Sequence, residues 1–286
     1  MSTLTLKKTV NFPYGLGFVS ETGEGYTVYS ANTILDDKQD GLKKRKIGIS
    51  LCSGCSVGCS YCFTNNMKKF KPLEVDEIVD QVQLVLDNSI PEKVDLVKLS
   101  MKQMGDPLVN PYNTLDALSK IMSVYPHKMQ YVVSTSASDQ GFDGLHFFDV
   151  LLNTDEFLYS DIRLQFSMHT TSNYDRMRLH PHQKMLPIVA IARIAKKWHY
   201  KKNFLTYSGG DNRVTLNFVM IKGMEYEVNV IDDNFHPDDV FIKLNYIDDN
   251  SCTKKNGYET MDEADVQTFA NALSAKGFKC GFRNRS

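Results

Sequence analysis

Apolar residues recur along this chain at two spacings, and the change from one to the other organises the reading. Near the start they fall on every second position. Leu4-Thr-Leu-Lys-Lys-Thr-Val10 and Gly25-Tyr-Thr-Val-Tyr29 predict short strands, the second after the turn-forming run Glu21-Thr-Gly-Glu-Gly25. Asp36-Asp-Lys-Gln-Asp-Gly41 predicts a polar loop. From Arg45 onward strand and helix spacings alternate. Strands are expected over 46–51, 94–100, 131–134, 162–167, 214–221, 241–245 and 278–283. A helix is expected over 73–86, with Val75, Ile78, Val79, Val82 and Leu86 on one face and Pro72 at its start. Further helices are expected over 114–122, capped by Asn113, and over 186–198. The last is expected from a capping box at Thr260 and Glu263 to about Lys276. Such alternation predicts an α/β fold with a parallel sheet and right-handed crossovers, whose chemistry gathers at the carboxyl ends of the strands. Residues 1–44 read as a short N-terminal β extension and 45–286 as the core.

Length and composition set bounds without naming a chemistry. The 286 residues are 42% hydrophobic, enough to bury a full core. The longest apolar runs, such as Leu186-Pro-Ile-Val-Ala-Ile-Ala192, are too short to span a bilayer, and the first residues do not build a signal peptide. No membrane partner is expected. Six cysteines without an export signal point to a reducing cytoplasm. A net charge of -1 gives no global attraction to nucleic acid.

The candidate chemistry sits in Cys52-Ser-Gly-Cys55-Ser-Val-Gly-Cys59-Ser-Tyr-Cys62. Cys55, Cys59 and Cys62 can hold three corners of a cubane iron–sulfur cluster, leaving one iron open to a ligand. Taking Cys52 as well gives four thiols that could form a structural zinc site, although zinc sites usually draw on two separated knuckles. Cys52 reads better as a small buried side chain. Three later strand ends carry polar groups: Met104-Gly-Asp-Pro-Leu108, Ser134-Thr-Ser136 and Ser167-Met-His169. Each taken alone reads as an ordinary loop or cap. The basic runs Lys43-Lys-Arg-Lys46 and Lys68-Lys-Phe-Lys71 flank the cysteine loop, which favours a nucleotide-like or otherwise anionic substrate. Arg283 and Arg285 add charge near the end.

The spacing C-x3-C-x2-C resembles the signature of radical S-adenosylmethionine (SAM) enzymes. From about Gly15 to Arg285 the chain is similar to RlmN/Cfr-type radical SAM proteins, which methylate adenosine in RNA. That resemblance implies a partial (β/α)6 TIM-like barrel, with a [4Fe-4S] cluster on Cys55, Cys59 and Cys62 and SAM as cofactor. It places Tyr61 near the adenine of SAM. It gives further SAM contacts to Gly105, Asp106, Ser134, Ser167, Met168, His169 and Asn250. It also implies an electron donor such as flavodoxin or ferredoxin.

The methyl transfer of these proteins needs two more cysteines, and the resemblance fails there. The upstream position is Gly48, and the chain offers only Cys280 within its last expected strand and six residues beyond it. A thiol must both accept and release the methyl group, which no serine can do. The expectation is therefore SAM cleavage and hydrogen abstraction from a small molecule or nucleotide, with RNA the less favoured partner. RNA adenine methylation with displaced cysteines and a non-catalytic iron–sulfur or zinc protein remain as alternatives.

Overall fold

A computed structural model describes residues 2–36, 41–67, 69–125, 129–205 and 211–282. The expected loop at 37–40, Lys68, Arg283 and Arg285 lie outside these. The chain divides into two compact units. One comprises residues 1–56, 67–134 and 160–162. The other comprises 57–66, 135–159 and 163–286.

The first unit begins with an antiparallel meander: β1 (Leu4–Phe12), β2 (Gly15–Thr22), β3 (Thr27–Asp36) and β4 (Lys43–Ile49). β2 is missing from the sequence reading because its glycines, Gly15 and Gly17, blur the apolar alternation. β5 (Leu96–Met101) and β6 (Met129–Thr135) continue the sheet in parallel from β4. Two helices serve this part. α1 (Val75–Asp87) buries Ile78, Val79, Val82 and Val85, and α2 (Pro111–Val124) buries Leu115, Leu118 and Ile121. The expected Asn113 cap is not made. Asn110 occupies the cap position because Pro111, whose fixed φ suits the first helical turn, starts the helix earlier. Asn113 instead donates to the Leu73 carbonyl at 3.0 Å.

The second unit contains α3 (Phe142–Asn153), α4 (Asp155–Tyr159), β7 (Ile162–Ser167), α5 (Asn173–Leu179) and α6 (Ile188–Leu205). It continues with β8 (Val214–Met220), α7 (Val228–Asn234), β9 (Val240–Tyr246), α8 (Ser251–Lys255), α9 (Glu263–Ala275) and β10 (Lys279–Phe282). β7 to β10 pair in parallel in chain order. The sequence reading misses α3, α4, α5, α7 and α8, most of them too short to show a helical period. The Thr260 cap is also not made: Asp262 precedes α9, and the Thr260 hydroxyl is buried without a partner.

Alternation along the parallel strands is clean. Ile162, Leu164 and Phe166 of β7, Val214, Leu216 and Phe218 of β8, and Val240, Ile242 and Leu244 of β9 are buried. The residues that alternate with them are Arg163, Gln165, Ser167, Thr215, Asn217, Phe241 and Lys243, all partly exposed and polar apart from Phe241. Parallel sheets covered on both faces read as continuous apolar runs. Here only one face is apolar, and the other presents polar groups at the carboxyl ends of the strands.

Candidate functional site

The cysteine loop leaves β4 through a buried polar lattice. Gln81 of α1 accepts from Ser50 N at 2.8 Å and donates to Ser50 O at 2.9 Å. Asn110 donates to the carbonyls of Leu51 and Leu73 at 2.9 and 2.8 Å. Each bond satisfies a backbone group that burial would otherwise leave costly. Cys52 follows, fully buried, with its N–H on the Met104 carbonyl. Burial pushes its thiol pKa far up, and the nearby Cys55 and Asp106 add to this. A protonated, inaccessible sulfur is a poor ligand and a poor nucleophile.

Gly105 packs on this residue with φ +86°. A Cβ there would stand 2.7 Å from Cys52 Sγ and 2.8 Å from Cys52 N, so only glycine fits. Asp106 is buried, and its carboxylate accepts from Leu108 N at 3.0 Å, capping the turn Pro107–Val109. This leaves the backbone of 105–106, rather than the Asp106 side chain, to meet a ligand.

The second half of the cysteine loop belongs to the second unit. Ser60 N donates to the Leu179 carbonyl at the end of α5 at 2.9 Å. Around α8, Asn250 donates to the Tyr61 carbonyl at 3.1 Å, and Asn256 to the Ser60 carbonyl at 2.7 Å. The Tyr258 hydroxyl meets Ser60 Oγ at 2.8 Å. Asn250 is thus engaged on both sides of its amide, since its Oδ1 also accepts from Cys252 N and Thr253 N. Asn256, Tyr258 and His180 were not singled out from the sequence. Nothing in a polar stretch after a strand marks which side chains will turn toward a loop some 190 residues upstream.

Tyr61 anchors a hydrogen-bonded chain of defined direction. His169 Nδ1 accepts from Val219 N at 3.2 Å, so the imidazole carries its proton on Nε2. That proton is donated to the Tyr61 hydroxyl at 2.6 Å. His180 Nδ1 donates to the Arg176 carbonyl at 2.7 Å, which leaves its Nε2 as the acceptor facing the Tyr61 hydroxyl proton at 3.5 Å, a weak closing link. Both imidazoles are neutral. Burial depresses both pKa values, that of His180 to about 4. His169 also holds φ +63°, a left-handed conformation that a non-glycine residue adopts only when its surroundings impose it. We expect Tyr61→Phe, which leaves the His169 Nε2–H buried without an acceptor, to lower stability by about 1–3 kcal/mol. Urea unfolding of the two proteins at pH 7.5 measures this, and an unchanged midpoint would remove the chain from the account.

The residues suggested for SAM fall into two groups. Gly105, Asp106 and Ser134 lie in the first unit, and Tyr61, Ser167, Met168, His169 and Asn250 in the second. Tyr61, His169 and Asn250 are brought together. Ser167 pairs with Asn217 across β7 and β8, and Met168 is fully buried with its N–H on the Asn217 carbonyl. Two buried polar atoms are left without partners at strand ends, Ser134 Oγ on β6 and Asn245 Oδ1 on β9. Such orphans fit a polar ligand. Cys55, Cys59 and Cys62 are all free of disulfides, on a loop turned by Gly54 (φ +105°) and Gly58 (φ +67°). Among the described residues no three Cys, His, Asp or Glu side chains close around a single metal position. A cluster makes no such demand, because each thiolate binds a different iron.

Among the described residues the basic runs are solvated only in part, with Lys69 exposed. Lys44 and Arg45 are buried within β4, and Lys43 pairs with Glu92. Lys71 pairs with Glu24 and Glu77 at 3.0 and 3.4 Å. Among the described residues no helix is long and apolar enough to cross a membrane.

No family model matches the chain. It is 27% identical over 243 residues to the dual-specificity RNA methyltransferase RlmN of Buchnera aphidicola, covering 80% of this chain and 59% of that protein. It is 26% identical over 260 residues to a probable RlmN of Shouchella clausii, covering 85% of this chain and 66% of that one. The chain thus spans about three-fifths to two-thirds of these relatives' lengths. In fold it matches a radical SAM methyltransferase from Sphaerobacter thermophilus, with a TM-score of 0.75 at 18% identity over 99% of this chain and 77% of the other. A spore photoproduct lyase bound to a dinucleoside photoproduct matches at a TM-score of 0.54 and 12% identity, covering 88% of this chain and 79% of that one. The α/β class expected from the sequence is the one found. In sequence the chain is similar to RlmN-type RNA methyltransferases and in fold to a radical SAM methyltransferase, so its resemblance is to RlmN/Cfr-like radical SAM proteins.

Proposed function

We propose that this chain is a radical SAM enzyme that abstracts hydrogen from its substrate and does not transfer a methyl group through cysteine. Cys55, Cys59 and Cys62 would hold the [4Fe-4S] cluster, and the orphaned Ser134 hydroxyl and the backbone at Gly105 would meet SAM. When bound, the reduced cluster supplies the electron that splits SAM into methionine and a 5′-deoxyadenosyl radical. The Asn250 and Asn256 amides and the Tyr61 chain keep the cysteine loop in one conformation. The electron would come from a flavodoxin- or ferredoxin-like donor, in the cytoplasm.

The observation that carries this reading is the pair Gly48 and Gln103. Gly48 stands where the methyl-transferring relatives need a thiol. A Cβ at Gly48 would lie 3.0 Å from Gln103 Cγ and Cδ, so a side chain there would have to displace Gln103. The remaining cysteines do not replace it. Cys52 and Cys252 are buried, and burial raises the pKa of the partly buried Cys280. The relatives' names favour the other reading, RNA adenine methylation, and one experiment separates the two. Reconstituted protein given SAM and a strong reductant should release 5′-deoxyadenosine, while mass spectrometry finds no methylated cysteine peptide. A methylcysteine, or labelled methyl in RNA, would promote the methyltransferase reading.

A further inference from the structure

The register of the first unit's sheet aligns small residues across adjacent strands. Val10 of β1 stands opposite Gly17 of β2, Gly17 opposite Ala31 of β3, and Ala31 opposite Gly48 of β4. From Gly17 to Gly48 the row crosses two strand spacings, about 10 Å, with nothing larger than a methyl group on its floor. Aromatic groups flank it. The Phe12 ring passes 3.6 Å from where a Gly17 Cβ would sit, and Tyr29 lies two residues before Ala31. The result is a cavity of about 280 Å³, lined by Val10, Phe12, Gly17, Tyr29, Ala31 and Gln103 among others, wholly within one unit.

Gln103 closes the Gly48 end. Its backbone N–H is fixed on the Ile49 carbonyl at 3.1 Å, which holds its side chain over Gly48. Among the described residues the Gln103 amide has no hydrogen-bond partner, so both a donor and an acceptor are available at one end of a flat trough. No carboxylate, lysine or arginine lines the cavity.

We propose that this trough binds the ring of the substrate, and that the ring is a neutral, planar heterocycle whose edge sets a hydrogen-bond donor beside an acceptor. This names the substrate class of the enzyme proposed above and rests on that reading. A flat floor suits stacking of a ring, aromatic walls favour a π-system over an alkyl chain, and a primary amide pairs with an edge of mixed polarity. The absence of lining cations favours a free small molecule over a base carried in a phosphodiester chain.

Saturation-transfer NMR on the full chain tests this with adenine, uracil, indole and benzoate. Adenine and uracil should bind, and Gln103→Leu should weaken them at least about fivefold, the loss of one amide hydrogen bond, while indole binding persists. Gly17→Val should remove all three by filling the floor. A Cβ at Gly17 meets nothing nearer than 3.6 Å, and the circular dichroism spectrum and urea midpoint of the variant check that it folds. The proposal is overturned if adenine and uracil fail to bind at millimolar concentration or are indifferent to both substitutions. It is equally overturned if benzoate binds as well as they do, or if oligoadenylate binds more tightly than adenine with no effect of Gln103→Leu. These titrations need neither cluster nor SAM, so their failure is separate from a failure to cleave SAM.

Discussion

Alanine at Cys55, Cys59 or Cys62, one at a time, is expected to abolish the broad brown absorbance and the roughly four irons per chain that anaerobic reconstitution gives the parent protein. Each thiolate would hold a different iron, so no one of them could be spared. Cys52→Ala is the matched control and should leave both signals intact. Cys52 is fully buried, its sulfur faces Gly105, and burial keeps it protonated. Iron and acid-labile sulfide analysis with optical spectra checks the four variants. A stable, colourless parent protein carrying stoichiometric zinc would overturn the cluster assignment. Loss of the cluster in Cys52→Ala alone would show that the loop is read in the wrong register.

Acid should begin to destabilise this protein from about pH 6.5 downward, before its carboxylates protonate. His180 has its pKa lowered from the ordinary 6.5 to about 4, chiefly by burial, with the Arg176 charge adding and the bond to the Arg176 carbonyl opposing. His169 is lowered in the same direction by burial and by the charges of His180 and Arg176. The fold therefore holds both rings neutral, whereas the unfolded chain takes up protons as the pH drops through 6.5. Unfolding binds protons in that window, so stability is full above pH 7 and falls as the pH approaches 4. For His180 alone the loss is about 3 kcal/mol, a large part of a typical folding free energy of about 5–15 kcal/mol. Urea midpoints measured from pH 7.5 to 4.5 should fall accordingly, and His180→Gln should flatten part of the slope. A midpoint constant over that range would show that the imidazoles are not held neutral.

The cysteine triplet proposed to hold the cluster is named from the sequence alone. The triplet Cys55, Cys59 and Cys62 is local, so its spacing speaks without tertiary information. The strands after Arg45 were legible because one face of each is apolar, and a two-residue period survives in a few residues. Short helices were not, since five to seven residues complete fewer than two turns and the 3.6-residue period has no repeat to show. β2 was hidden by Gly15 and Gly17, and Gly17 also forms part of the bare floor of the trough.

The sequence by itself determined the class of fold, the cysteine loop and the want of a thiol at position 48. Each of these depends on residue type or near-neighbour spacing. Only the tertiary structure decided what fills the place of that thiol, because Gln103 reaches Gly48 through a strand pairing that no local pattern encodes. The same holds for the charges. Lys44 and Arg45 read as part of a basic run, but alternation in a buried strand and its neighbours' packing take them out of solvent. It holds again for Tyr61, His169 and His180. Their protonation is set by two backbone groups, Val219 N–H and the Arg176 carbonyl, which come together only when β7, β8 and α5 pack around one loop.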